Sequence, residues 1–195
     1  MINNNLKILA LTLLLLTIGS CKSTSIGKQS TPLDNSTAKA YFAGGCFWGV
    51  EYFFEKRYGV TQATSGYMGG KLKNPTYRDV SYTHSGHVEA VEVQYDPSQV
   101  NYETLARLFF EIHDPTQLDG QGPDIGDQYL SMVFYNNAAE KKIIQNLISI
   151  LKNKGLDVVT ELKEAKSFYP AEKEHQNYYA KKGGKPYCHA YIKRF

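Results

Sequence analysis

The chain has 195 residues, enough for one domain with additions, and 42% of them are hydrophobic and 13% aromatic, ample for a packed core. Its 22 basic and 19 acidic residues nearly balance, leaving a net charge of +3, and no long basic run is present. That excludes a phosphate-binding stripe, and with it a nucleic-acid partner.

Residues 1–20 are read apart from the fold. Lys7 gives a weakly positive start, Ile8 to Ile18 is an apolar run too short to span a bilayer comfortably, and Gly19 and Ser20 precede Cys21. Ile18-Gly19-Ser20-Cys21 resembles the lipobox of a bacterial lipoprotein signal peptide. The resemblance implies cleavage before Cys21 and acylation there; a plain secretory signal or an uncleaved anchor is the alternative. Each buried CH₂ of an acyl chain contributes about 0.8 kcal/mol, so several chains give stable attachment. The expected address is the cell envelope, with the protein lipid-anchored to a bacterial membrane and its folded part outside the cytoplasm. Residues 21–37 then comprise the lipidated cysteine and a polar, Ser/Thr-rich flexible tether, and 38–195 form one domain without internal repeats.

Within that domain, Ala38 to Ala43 reads as a strand, and Val50, Phe53, Phe54 and Arg57 recur at helical spacing. Gly44-Gly45-Cys46-Phe47-Trp48-Gly49 joins the two, setting Cys46 at or just before a helix N-terminus. Backbone N–H groups and the helix dipole there predict a lowered thiol pKa and a nucleophilic thiolate. Most free cysteines are small buried hydrophobes. Flanking glycines that let the backbone approach a ligand, and the chain's single tryptophan two residues away, favour a functional thiol.

Val60 to Tyr67 is β-leaning, and Met68 to Gly86 is a connection long enough to suggest function. His87 to Tyr95 reads as a strand in which Glu89 shares a face with Val91, Val93 and Tyr95. A carboxyl on that apolar face would stay protonated and suit a general acid, whereas at a frayed strand start it would be merely solvated; periodicity leaves both open. Asn101 can cap a helix through His113, Asp114 to Gln128 is a structured loop, and Ser131 to Tyr135 is a strand. A helix over Ala138 to Lys154 stops at Gly155, a short strand covers Val158 to Leu162, and a short helix falls within Phe168 to Lys182. This mixture predicts an α+β fold. The five histidines and three cysteines match no zinc spacing, so no metal is expected.

Gly-Cys-Phe-Trp-Gly at 45–49 resembles the signature of the A-type peptide methionine sulfoxide reductases. Further strings follow in the family's order: Gly69-Gly70, Asn74-Pro75-Thr76-Tyr77, Gly86-His87-Val88-Glu89, His113-Asp114-Pro115-Thr116-Gln117, Gln121-Gly122-Pro123-Asp124 with Gln128-Tyr129, and Ala171-Glu172 with His175-Gln176. The likeness runs from about Lys39 to His189. It implies a ferredoxin-like α/β sandwich core wrapped by long coil segments. It also implies thioredoxin-dependent reduction of methionine-S-sulfoxide, protein-bound and free, by a peptide-methionine (S)-S-oxide reductase that repairs oxidised envelope proteins. In that family Cys46 corresponds to the nucleophile, Glu89 to the proton donor, Tyr77 and Tyr129 to hydroxyls that bond the sulfoxide oxygen, and Asp124 to an acid lining the site. Phe47 and Trp48 correspond to the apolar wall that receives the S-methyl group.

The same likeness makes Cys188 the recycling thiol that turns a Cys46 sulfenic acid into a disulfide for a thioredoxin-like reductant, with no cofactor and a monomeric enzyme. A permanent disulfide is the bland alternative for such a pair in an oxidising compartment. Pro186 replaces the family's glycine two residues before Cys188, and Leu130 and Glu174 also depart from the pattern. Competing functions are another thiol oxidoreductase, such as a peroxidase, and a non-catalytic lipoprotein that binds sugar or peptide.

Overall fold

The computed structural model describes residues 37–195. The leader at 1–20, Cys21 and the tether as far as residue 36 lie outside the described residues. Alternating side chains put Ala40 and Phe42 on one buried face and form β1 (Ala38–Gly44). The chain turns at Gly45, whose φ of 94° favours glycine, and enters α1 (Phe47–Glu55), which buries Phe47, Val50 and Phe54. Then come β2 (Val60–Met68), a short α2 (Tyr77–Tyr82), β3 (Val88–Tyr95) and α3 (Tyr102–Ile112). The Asn101 side chain caps α3 by accepting the Thr104 N–H at 2.8 Å. The loop that follows holds a minimal hairpin, β4 (Gly120–Gln121) with β5 (Asp124–Ile125), and a 3₁₀ turn over Asp127–Tyr129. β6 (Ser131–Tyr135), α4 (Ala138–Asn153), β7 (Glu161–Glu164), β8 (Tyr169–Pro170) and α5 (Tyr178–Lys182) complete the order.

One six-stranded sheet runs β7-β6-β1-β3-β2-β8, antiparallel except for the β6–β7 pair. Its four main strands, taken in chain order, lie fourth, first, third, second, with α1 and α3 as the two crossovers. This is the ferredoxin-like βαββαβ arrangement. On the helix side Phe42, Val91 and Val93 meet Val50, Phe54, Leu105, Phe109, Ile144 and Leu147. The Phe42 ring lies 5.1 Å from that of Phe54 and 5.2 Å from that of Phe109. The opposite face, made by Ala43, Met68, Val88, Ala90, Met132 and Phe134, is covered by Phe168 and Ala165 from the coil between β7 and β8.

Two expectations change. The connection from Met68 to Gly86 contains α2, held by a capping box in which Thr76 and Asp79 satisfy each other's backbone N–H groups. The strand expected at Val158 to Leu162 begins three residues later. The Val159 N–H donates to the Pro115 carbonyl, so parallel pairing with β6 starts only at Glu161 opposite Met132.

Phe42 is fully buried between two helices. Phe42→Ala is expected to destabilise the domain by about 3–5 kcal/mol, the cost of a large apolar side chain plus its cavity. Urea unfolding midpoints of the two proteins, at equal m, check this.

Candidate active site

Cys46 is the N-cap residue of α1, with φ −52° and ψ 118°, and its carbonyl accepts the Gly49 N–H at 3.1 Å. Only 7% of the residue is exposed. Across from it, β3 presents Glu89, 2% exposed, whose Oε2 accepts the Phe47 N–H at 3.0 Å. Glu89 is therefore not a solvated strand end. Burial, and then the charges that Cys46 and Asp124 can carry, hold its carboxyl well above the usual carboxylate range despite the Phe47 donor.

The expected lowering of the Cys46 pKa is reversed. A hydrogen bond with Cys188 and burial push the thiol up, and the Trp48 backbone N–H is too weak an opposing influence. The dipole of a nine-residue helix does not compensate for taking a thiolate out of water beside other acidic groups.

Cys188 stands beside Cys46. The sulfurs of Cys46 and Cys188 and a carboxylate oxygen of Asp124 all lie within 4.8 Å of one another, and both cysteines are free thiols. The tail that carries Cys188 is tied down in this position. Arg194 Nε donates to the Phe110 carbonyl at 2.7 Å and its other guanidinium nitrogen to the His113 carbonyl at 3.2 Å, satisfying orphan acceptors at the end of α3. His189 Nε2 donates to the Gly44 carbonyl at 2.7 Å, and Gln121 Nε2 to the Cys188 carbonyl at 3.4 Å. Pro186 lies outside these ties.

This docking depends on the glycines of the signature. A Cβ on Gly49 would stand 2.2 Å from His189 Nδ1, and one on Gly45 would stand 2.4 Å from the Gln121 side chain. A side chain at Gly49 would push His189 and the segment that carries Cys188 away, and one at Gly45 would displace Gln121, which donates to the Cys188 carbonyl.

The tyrosines converge on the carboxyl. Tyr77 opens α2, and its N–H donates to Glu172 Oε1 at 2.8 Å, while the Tyr67 hydroxyl donates to Glu172 Oε2 at 2.8 Å. Burial first, and also the Glu89 charge, raises the phenols of Tyr77 and Tyr129, so both stay protonated donors. Asp124, on β5, accepts the Tyr187 hydroxyl at 3.0 Å.

Phe47 and Trp48 differ from each other. Phe47 is fully buried in the core, beside Tyr67 and His175. Trp48 keeps a partly exposed ring whose one face is stacked by Tyr178, with centroids 3.7 Å apart and planes at 4°, while its Nε1 donates to His175 Nδ1 at 3.2 Å. A recess of 590 Å³ lined by Glu55, Thr61, Thr64 and Gln176 lies along β2, and neither thiol lines it.

Tyr178, Tyr187, Gln121 and His189 at this site were not picked out from sequence. Adjacency to Cys188 could have flagged Tyr187 and His189. Nothing in a five-residue helix could have placed Tyr178 on Trp48.

A family model described as peptide methionine sulfoxide reductase matches residues 38–195. The peptide methionine sulfoxide reductase MsrA of Nautilia profundicola is 49% identical over 150 residues, covering 77% of this chain and 87% of its own. Among solved structures, methionine sulfoxide reductase A of Corynebacterium diphtheriae is similar with 35% identity and a TM-score of 0.69, covering 81% of this chain and 80% of its own. Mxr1 of Saccharomyces cerevisiae in reduced form has 29% identity and a TM-score of 0.74, covering 82% of this chain and 93% of its own.

Gly49→Ala is expected to destabilise the domain by about 1–3 kcal/mol through overpacking, and to slow Cys46–Cys188 closure after oxidation, read by mass spectrometry of quenched samples. Glu51 anchors the segment before α5 by accepting the Asn177 N–H at 2.8 Å, and it also accepts the Ser65 N–H at 3.3 Å. Burial and the neighbouring Glu55 push its pKa up to about 7. The native carboxyl thus keeps a proton that the unfolded chain loses near pH ~4.3. Its contribution is complete below that pH, falls as pH rises towards about 7, and stays reduced above. Glu51→Gln should lose less stability than wild type between about pH 5 and about pH 8 in paired urea titrations.

Proposed function

The chain belongs to the peptide methionine sulfoxide reductase family, and from that premise we infer that it is an oxidoreductase that returns methionine sulfoxide in peptides and proteins to methionine. The observation that carries this reading is a thiol at the first turn of α1 facing a buried, protonated carboxyl, with a second thiol within 4.8 Å. We further propose that the S epimer is the substrate, free or protein-bound, and that the residues act as follows.

The sulfoxide oxygen accepts hydrogen bonds from Glu89, Tyr77 and Tyr129. Cys46 attacks the sulfoxide sulfur as Glu89 gives its proton to the oxygen, and the proton lost by Cys46 replaces it on the carboxylate. The hydroxyl then passes from the substrate sulfur to the Cys46 sulfur as the substrate S–O bond and the transient S–S bond break, so that methionine leaves, Cys46 holds a sulfenic acid, and the two electrons that reduced the substrate have come from the thiol sulfur. Neutral donors suit this step, because the charge to be relieved is the one that grows on the oxygen. Trp48, whose ring is partly exposed, gives the apolar setting for the S-methyl group, and the buried Phe47 ring supports it from the core. Asp124 holds Tyr187 beside the thiols. Cys188 then condenses with the sulfenic acid, and a thioredoxin-like protein opens the resulting disulfide by thiolate attack. The enzyme acts as a monomer.

The N-terminal sequence supports a lipid-anchored enzyme that repairs oxidised proteins of the cell envelope. Ile18-Gly19-Ser20-Cys21 is the feature behind that proposal. Loss of fatty-acid label in Cys21→Ala is its expected signature, and equal labelling of both proteins removes it.

Separate S and R epimers of a methionine sulfoxide peptide, with dithiothreitol as reductant, test the activity. Wild type should turn over the S epimer and Cys46→Ser should release none, since an alcohol in place of the thiol cannot take up the oxygen. Glu89→Gln should be slower by about 10² to 10⁴. Peroxide consumed in preference to sulfoxide would favour a peroxidase instead. In Cys188→Ser one methionine per enzyme should still form, with dimedone trapping the sulfenic acid, and turnover with thioredoxin should fall while dithiothreitol supports it.

A further inference from the structure

The mechanism above leaves one proton without a destination. When Cys188 closes on the Cys46 sulfenic acid its thiol must lose a proton, inside a site where both cysteines are 7% exposed and water has little access. His189 is the adjacent residue, 5% exposed, and its Nδ1 lies 3.1 Å from Cys188 Sγ.

Hydrogen bonding fixes which nitrogen carries hydrogen. His189 Nε2 lies 2.7 Å from the Gly44 carbonyl oxygen, which can only accept, so Nε2 bears the N–H. In a neutral imidazole Nδ1 is then a bare lone pair, and it points at the Cys188 sulfur. The ring cannot easily turn away, since it sits over Gly49, where even a methyl group would overlap it. Burial lowers the pKa of this imidazole to about 4, which keeps it neutral at ordinary pH.

We propose that His189 is the base that takes the Cys188 thiol proton during disulfide formation. This rests on the sulfenic acid reading given above. The S–H bond of Cys188 breaks with its proton passing to His189 Nδ1. The sulfur then forms the S–S bond to Cys46 as the Cys46 S–O bond breaks. The departing hydroxide takes the proton back from the imidazolium, leaving one disulfide and one water. The ionisable groups near His189 are Cys188 on its own segment, Cys46 at the start of α1, Asp124 on β5 and His113 at the end of α3. Of these, Asp124 supports the transient imidazolium. His113, whose Nδ1 donates to the Phe109 carbonyl at 2.6 Å and which burial holds down at about 3, stays neutral.

The test uses the full protein treated with one equivalent of the S-sulfoxide peptide. Methionine release and Cys46–Cys188 disulfide are followed in the same quenched samples across pH, for wild type and His189→Gln. With a built-in base, the wild-type rate of disulfide formation should be nearly flat between about pH 6 and about pH 8. His189→Gln should form the disulfide more slowly by about 10² to 10⁴, with a rate that climbs tenfold per pH unit as hydroxide replaces the base. A wild-type rate that itself climbs tenfold per pH unit through this range overturns the proposal, even if the variant fails to fold. An unchanged rate in a folded His189→Gln overturns it as well. If wild type releases no methionine, the activity reading fails instead, and the two failures are told apart by which product is missing.

Discussion

The hydrogen bond from the Phe47 N–H to Glu89 is the contact on which the site depends. It crosses from the first turn of α1 to the second residue of β3, so it fixes in one step the distance between the Cys46 sulfur and the Glu89 carboxyl. It also meets a donor that the helix cannot satisfy by itself. A buried carboxyl with a single backbone donor is not well enough solvated to ionise, and it therefore stays protonated. The pairing of β2 with β3 places Tyr67 opposite Glu89, and Tyr67 in turn holds Glu172, which holds the first residue of α2. Position at the site thus passes from the sheet to Tyr77 through a chain of short polar contacts.

The second constraint is space. Three glycines around the thiol let other elements pack close to it: α3, the β4 strand and the tail. A Cβ on Gly44 would meet Phe109 and His113, one on Gly45 would meet Gln121, and one on Gly49 would meet His189. Glycine costs conformational entropy at each place, roughly 0.5–1 kcal/mol in a regular element. In return the backbone of the β1–α1 turn comes close enough for Gly44 to accept from His189 and for the second sulfur to rest beside the first. The carbonyls left open at the end of α3 do the rest by receiving Arg194.

Much of the fold was legible because its signals are local. Period-two alternation marks β1 and β3, helical spacing marks α1 and α4, and Asn101 and Gly155 mark helix ends. The short α2 escaped because six residues hold too little periodicity, although the Thr76–Asp79 capping box was there to be read. The start of β7 escaped because its first pairing partner is decided by a distant carbonyl, that of Pro115. The positions of Glu89 and Cys46 could be read from pattern, but the direction of the thiol's pKa could not. It depends on Cys188 in the tail, on burial and on Asp124 on β5, and no spacing in the chain reports that gathering. For the same reason Tyr178 on Trp48 and His189 on Gly49 were invisible: both contacts join residues more than a hundred positions apart.

A neutral resting thiol changes how the enzyme chooses its oxidant. Peroxides react with thiolates, so a cysteine held protonated by burial and by its neighbours is a poor target for them. A sulfoxide differs in carrying a strongly hydrogen-bond-accepting oxygen and an electron-poor sulfur in the same group. In the proposed mechanism its oxygen rests on Glu89 and the two tyrosines, so it brings partial positive charge to the place where the thiolate must form and lowers the cost of forming it. The deprotonation is then coupled to substrate binding and not to pH. On this account the raised pKa is no defect of the nucleophile, because the site supplies the missing stabilisation only when the right oxygen is in place.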